Sequence, residues 1–297
     1  MIDDKYLPKH SYEVPPCGDV LYTVSFSGGR SSAYMLYKFL EANRKQGLPI
    51  HYAVIFANTG KEHPATLDFV REVGRRWKVR IHWVEYRYHA GAKGGAKDPR
   101  HRHKVVNYDT ASREGEPYQS LIEGRGGYLP NKMQRICTME LKVATMRRFI
   151  QRDLGYKHHE AFLGIRYDEP KRWMKIMLTD TCRNHFPMVT AKVTREDVLK
   201  FWSEQDFDLK TPALYGNCDL CFLKGRRKLV EGIKKEPFRA DWWIEQEQNN
   251  LLKNKHRLSK PENAQFILKE SYRELKNSAL QEPVSYTHLT LPTIYSV

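Results

Sequence analysis

The chain has 297 residues, a formal net charge of +15, and a composition that is 40% hydrophobic and 12% aromatic. That length and apolar content support a substantial buried core and exclude a disordered chain, and no stretch approaches the roughly 18 uninterrupted apolar residues of a membrane helix. The excess of 50 Lys and Arg over 35 Asp and Glu attracts polyanions, so tRNA or DNA is a candidate partner beside the plainer reading of a basic surface for nucleotide phosphates and solubility. Five scattered cysteines do not form a disulfide framework and point to metal or redox chemistry. Met1-Ile2-Asp3-Asp4-Lys5 lacks the basic-then-apolar order of a signal peptide, so a cytoplasmic location is expected.

Residues 1–18, with Pro8, Pro15 and Pro16, read as an irregular N-terminal arm. The run Val20, Leu21, Tyr22, Val24 predicts a buried strand, followed by the loop Ser27-Gly28-Gly29-Arg30-Ser31-Ser32 and a helix to about Arg44 that ends at Gly47 and Pro49. Ile50 to Ala57 predicts a second strand closing at Asn58-Thr59-Gly60-Lys61-Glu62; Pro64 suits the first turn of the next helix, and Val79 to Tyr86 a third strand. This alternation predicts an α/β fold, a mostly parallel twisted sheet with helices on both faces and ligands at the carboxyl ends of its strands. From Arg87 to about Arg135 a long basic loop is expected, with one helical piece near Tyr118 to Glu123. Order returns as a helix over 138–154, strands over 160–165 and 175–178, and a helix from Thr194. The remainder is expected to be helical over 220–235, 240–251 and 264–277. The chain thus divides into the arm, a nucleotide-binding α/β domain over 19–212 and a helical region over 213–283. Val284 to Thr293 reads as the translation of a transposon-based sequencing adapter, so 284–297 are excluded from the functional reading.

Strand, Ser/Gly turn and helix start make an anion site: glycines admit close backbone approach, and the helix presents free N–H groups and its positive dipole end. Ser27, Ser31 and Ser32 add hydroxyl donors and Arg30 a cation, although a plain polar turn has the same composition. Asn58 to Glu62 lies at the same sheet edge, where the Glu62 carboxylate could hold a metal ion. Cys137, beside a helix start and between Arg135 and Lys142, has its thiolate favoured, as suits a ligand or nucleophile; an inert buried Cys is the alternative. Gly164-Ile165-Arg166 follows a strand and offers a guanidinium for bidentate phosphate binding. Cys218-Asp219-Leu220-Cys221 can place two thiolates on one metal or cluster, or form a redox pair.

Taken in order, Ser-Gly-Gly-x-x-Ser, Asn-Thr-Gly-x-Glu, Arg-x-Cys-Thr-x-x-Leu-Lys, Gly-x-Arg and Cys-x-x-Cys resemble the phosphoadenosine phosphosulfate (PAPS) reductase family of the adenine nucleotide alpha-hydrolase-like (PP-loop) superfamily. The resemblance covers residues 18–235. It implies ATP or a PAPS-like adenosine nucleotide with Mg²⁺, held by Ser27, Gly28, Gly29, Arg30, Ser31, Ser32, Asn58, Thr59, Gly60, Glu62, Gly164 and Arg166, with Cys137, Arg166 and Arg30 as catalytic residues. Many members of the wider group carry an Asp where this chain has Arg30 or Ser31. Cluster-bearing relatives join an upstream cysteine pair and the Cys-x-x-Cys on a 4Fe-4S cluster, but Thr138 stands at the second upstream position here, which leaves Cys137, Cys218 and Cys221. Cys182 is the expected fourth ligand, with His185 or Cys17 as alternatives. Otherwise one iron stays open, as in related enzymes that thiolate tRNA; zinc is the alternative metal. The Glu-Cys-Gly segment that ends assimilatory PAPS reductases does not occur. The expected function is therefore AMP- and pyrophosphate-forming adenylation coupled to sulfur transfer on nucleic acid. The alternatives are a reductase releasing sulfite from an adenylyl sulfate and a non-catalytic nucleic-acid-binding accessory protein.

Overall fold

The computed structural model describes residues 7–15, 20–45, 47, 51–90, 101–179, 183–211, 215–216, 218–254 and 265–281; Cys17, Cys182 and 284–297 lie outside them. Six strands, β1 (Leu21–Ser25), β2 (Tyr52–Asn58), β3 (Ile81–Tyr88), β4 (His101–Val106), β5 (His159–Leu163) and β6 (Arg183–His185), form one sheet in the order β4-β3-β2-β1-β5-β6. All neighbours run parallel except β3 and β4. The described helices are α1 (Arg30–Arg44), α2 (Pro64–Arg76), α3 (Glu116–Gly124), α4 (Thr145–Arg152), α5 (Pro170–Thr179), α6 (Pro187–Thr190), α7 (Arg195–Ser203), α8 (Arg226–Lys235), α9 (Arg239–Asn254) and α10 (Tyr272–Gln281). The expected α/β architecture is borne out.

β2 shows why the sheet is covered on both sides. Its Val54 and Phe56 join Leu36 and Phe39 of α1 and Val70 of α2 in one core, while Ala53, Ile55 and Ala57 join Phe149 and Ile150 of α4 in another. A strand buried on both faces reads as a continuous apolar run, which is how residues 52–57 appear in the sequence. Pro64 sits in the first turn of α2, and Thr194 and Asp197 form a reciprocal capping box at α7. A further core joins Tyr118, Leu121 and Ile122 of α3 to Leu229 and Ile233 of α8, Trp243 of α9 and Tyr272 and Leu275 of α10. The C-terminal helices therefore share their interior with a helix from the segment expected to be a loop.

Five expectations need correction. The helix expected over 264–277 starts only at Tyr272 and runs to Gln281, because 265–269 fold as bends and turns. The stretch from Arg87 to Arg135 contains β4, an edge strand whose His, Arg and Lys content hides its pairing with β3 and protects a sheet edge. Residues 175–178 belong to α5, which Pro170 starts and whose Trp173 is buried, so helical spacing wins over the short apolar run. The helix expected from Leu220 starts only at Arg226, because 218–224 fold as turns around the Cys-x-x-Cys. The helix after Cys137 opens as a π-helical turn, Thr138–Ala144, before continuing as α4. Such turns frequently accompany functional sites.

Candidate functional site

The loop 27–32 leaves the carboxyl end of β1 and enters α1 with Gly29 as the extended N-cap. Gly28 has φ +75°, and a Cβ there would fall 2.7 Å from Thr66 Cγ2, so only glycine fits both the conformation and the space. The serines organise the turn instead of capping the helix: Ser32 Oγ accepts from Ser27 N at 3.1 Å, donates to the Gly29 carbonyl at 2.9 Å and lies 2.9 Å from Ser27 Oγ. The first N–H groups of α1 have no partner within the helix and are the donors that an anion at this loop would meet.

β5 delivers the second wall. A Cβ on Gly164 would lie 2.6 Å from Ser32 Cα, so this glycine lets two backbones pack in near contact. Arg166 then donates from Nη1 to Ser31 Oγ at 3.0 Å and from Nε to Asp168 Oδ1 at 2.8 Å, placing its guanidinium on the loop. Arg30 goes elsewhere than expected. Its Nε and Nη2 form a two-point pair with Asp208, both at 2.7 Å, and Nη2 also reaches the Leu209 carbonyl. A planar fork matches a carboxylate two-point, and here that match fastens the segment after α7 to the start of α1.

The turn after β2 supplies the third wall. Asn58 Nδ2 donates to buried Glu85 Oε1 at 2.7 Å and to the Ser112 carbonyl at 2.8 Å, while its Oδ1 accepts from Gly60 N. Thr59 donates from N and Oγ1 to Glu62 Oε2, at 2.9 and 2.8 Å. Glu62 is thus a buried residue of the turn, facing the cysteines, and its carboxylate is not presented to solvent for Mg²⁺. The turn is stitched to the Cys-x-x-Cys: Glu62 and Cys218 form an antiparallel bridge, Asp219 N donates to the Lys61 carbonyl at 2.7 Å, and Thr59 Oγ1 lies 3.5 Å from Cys218 Sγ. Lys61 Nζ, nearly buried, sits 3.4 Å from Asp219 Oδ2 and over the Trp242 ring.

Cys137, Cys218 and Cys221 come together in the C-terminal core, as reduced thiols. Burial, then the Glu62 charge, push the Cys218 thiol well above its ordinary pKa, and burial does the same to Cys221. Burial opposes the charge of Lys142, but Glu62 and then Cys218, Cys221 and Cys137 outweigh it and hold the ammonium pKa up. Its Nζ lies 3.8 Å from Glu62 Oε1. Tyr118 is fully buried against the same thiols, and its hydroxyl meets Cys137. Three thiols from two backbone segments, the start of the π-helical turn and the Cys-x-x-Cys turn, with a carboxylate and a cation facing them, fit the donor set of an iron–sulfur cluster. Among the described residues no three His, Cys, Asp or Glu side chains close on one point as a single ion requires.

Of the expected fourth ligands, His185 is engaged otherwise: its Nε2 meets Glu160 Oε2 at 2.8 Å and its ring stacks on Phe162, on a strand three places from β2 in the sheet. Thr138, in place of a cysteine, receives an Arg135 contact at 3.4 Å. Sequence reasoning missed Tyr118, the Lys61–Asp219 pair and Glu85; an Asp inside a Cys-x-x-Cys was the one legible signal. A groove of about 660 Å³ lies at the opposite, amino end of β1 and β5, lined by Val20, Arg147, Lys157, His159, Glu160 and Arg183, and contains no residue of the 27–32 loop, the 58–62 turn or the three thiols.

A family model described as the phosphoadenosine phosphosulfate reductase domain matches residues 22–216. An uncharacterized nin region protein, ORF290, of Escherichia phage lambda is 32% identical over 226 residues, covering 73% of this chain and 71% of that protein. A solved structure, the U34-tRNA thiolase NcsA from Methanococcus maripaludis with its 4Fe-4S cluster, aligns over 95% of this chain and 80% of its own at 14% identity and a TM-score of 0.32, too distant to support residue correspondences. With the loop of residues 27–32 at the switch between β2 and β5 on either side of β1, and with a family model spanning most of the chain, the protein belongs to the phosphoadenosine phosphosulfate reductase family.

Proposed function

We propose that the chain is an enzyme that binds ATP, or a close adenosine nucleotide, on the 27–32 loop and couples AMP- and pyrophosphate-forming adenylation to sulfur transfer onto a nucleic acid such as tRNA. The observation that carries this reading is that the phosphate loop leaves the carboxyl end of β1 while the 58–62 turn, joined to Cys218 through Glu62 and Thr59, leaves the carboxyl end of the neighbouring strand β2. The N–H groups of α1 and the Arg166 guanidinium hold the phosphates, with Mg²⁺ entering on the phosphate oxygens. An acceptor oxygen attacks the α-phosphorus, the bond to the β-phosphate breaks and pyrophosphate leaves; preorganised donors offset the charge that develops. A sulfur nucleophile then displaces AMP from the activated carbon. Cys137, Cys218 and Cys221 would hold an iron–sulfur cluster, which supplies a site for handling sulfur close to that carbon. Lys142 and Lys224, whose Nζ donates to the Cys218 carbonyl at 2.7 Å, offset its negative charge.

The test is product analysis after anaerobic incubation with α-labelled ATP, Mg²⁺ and tRNA. AMP and pyrophosphate in equal amounts are expected. Sulfite from PAPS without AMP from ATP would make the protein a sulfonucleotide reductase, and neither activity would leave it a binding protein.

A further inference from the structure

Glu62 is a buried carboxylate with one oxygen accounted for. Its side chain is 2% exposed; Oε2 accepts both Thr59 donors, and Oε1 has no hydrogen-bond donor among the described residues. Buried polar oxygens are nearly always paired, so an orphan calls for a partner. Lys142 Nζ, at 3.8 Å, stands beyond hydrogen-bonding distance. The backbone bridge to Cys218 and the 3.5 Å approach of Thr59 Oγ1 to Cys218 Sγ fix this carboxylate beside the thiol. Cys137 and Cys221 pack against the same core as Cys218, which brings the other two thiols to the neighbourhood of this carboxylate.

Three thiols leave one iron of a four-iron cluster without a protein ligand, and a carboxylate oxygen is a donor that iron accepts. His185 is held by Glu160. The Tyr118 hydroxyl nearby meets the Cys137 thiol, so it suits a hydrogen bond to sulfur. We infer that Glu62, through Oε1, is the fourth protein ligand of the cluster held by Cys137, Cys218 and Cys221. The inference rests on the cluster reading of these cysteines and replaces the expectation that Cys182 completes the set.

The experiment uses the full chain reconstituted anaerobically with ⁵⁷Fe and sulfide, as wild type, Glu62→Gln, Glu62→Cys and Cys182→Ala. Iron and sulfide content, Mössbauer spectra, and EPR after mild oxidation are recorded, with circular dichroism melting as the check on folding. Wild type should hold about four irons, one of them distinguished by an oxygen ligand. Glu62→Gln, which keeps the acceptor for Thr59, should shed about one iron in four on oxidation and give a three-iron signal, whereas Glu62→Cys should keep four irons and lose the distinct site. Spectra of Glu62→Gln matching wild type, or iron loss confined to Cys182→Ala, would overturn the assignment while leaving the cluster intact. Wild type without iron or sulfide would overturn both, and the wild-type iron content alone separates the two failures.

Discussion

Gly164 and Glu247 each make a prediction that a single side chain can test. At Gly164 an added methyl would meet the Ser32 backbone at 2.6 Å, and backbone cannot swing aside as a side-chain tip can. Gly164→Ala should cost about 1–3 kcal/mol in chemical denaturation and weaken nucleotide binding, since the displaced element is the loop itself. Glu247 lies buried in the C-terminal core, where burial raises its pKa to about 7 even though the Phe266 and Tyr272 N–H groups favour the ionised form. Because the folded pKa exceeds the unfolded one, folding favours the protonated acid, so stability falls as pH rises from about 4.5 to 7, by an amount on the order of 3 kcal/mol. Melting of wild type and Glu247→Gln at pH 5 and pH 8 should show the wild type losing ground to the variant at the higher pH. At this scale the sequence was informative where chemistry demands a residue type, as with Gly28, Arg166 and the Cys-x-x-Cys. It was silent where a partner lies far along the chain: Arg30 meets Asp208 across 178 positions, and no local pattern announces that pair.

The element that joins the chemistry is the turn between β2 and α2. Its Thr59 and Glu62 meet Cys218, while Lys61 pairs with Asp219, which also lies 3.9 Å from Arg239. Asp219 accepts the Trp243 and Leu220 N–H groups as well, so it anchors the Cys-x-x-Cys turn to α9. Asp219→Asn would leave two nearly buried cations short of their counterion; removing one partner of such a pair costs about 3–5 kcal/mol, and urea unfolding should show a loss of that order with diminished iron uptake. Elements with strong apolar periodicity were legible, as α1, α2 and β2 show. β4 was not, because an edge strand built from His, Arg and Lys looks like a loop, and the late start of α8 was not, because the buried Asp219 overrides the helical propensity of its neighbours.

The whole molecule is a sheet with helices on both faces whose C-terminal helices close over the cysteine-bearing turn. Its charge of +15 exceeds what one nucleotide needs. If the acceptor is a nucleic acid, tRNA binding followed by fluorescence anisotropy should weaken steeply between about 50 and 200 mM salt, with a linear log–log slope set by the phosphates neutralised; a flat slope would argue for a small acceptor. Fold class and the order of the site blocks were readable from the sequence because a parallel sheet collects its loops at one edge. The joining of the 58–62 turn to the Cys-x-x-Cys was not readable, since it depends on a contact between Glu62 and Cys218, far apart in the chain. The most direct test of that joint site is calorimetric titration of Mg²⁺–ATP into the anaerobically purified chain, beside Gly28→Val, Arg166→Ala and Lys157→Ala, the last at the opposite end of the sheet. The account predicts one binding site, lost in the first two variants and kept in the third; absence of binding, or binding indifferent to Gly28 and Arg166, would contradict it.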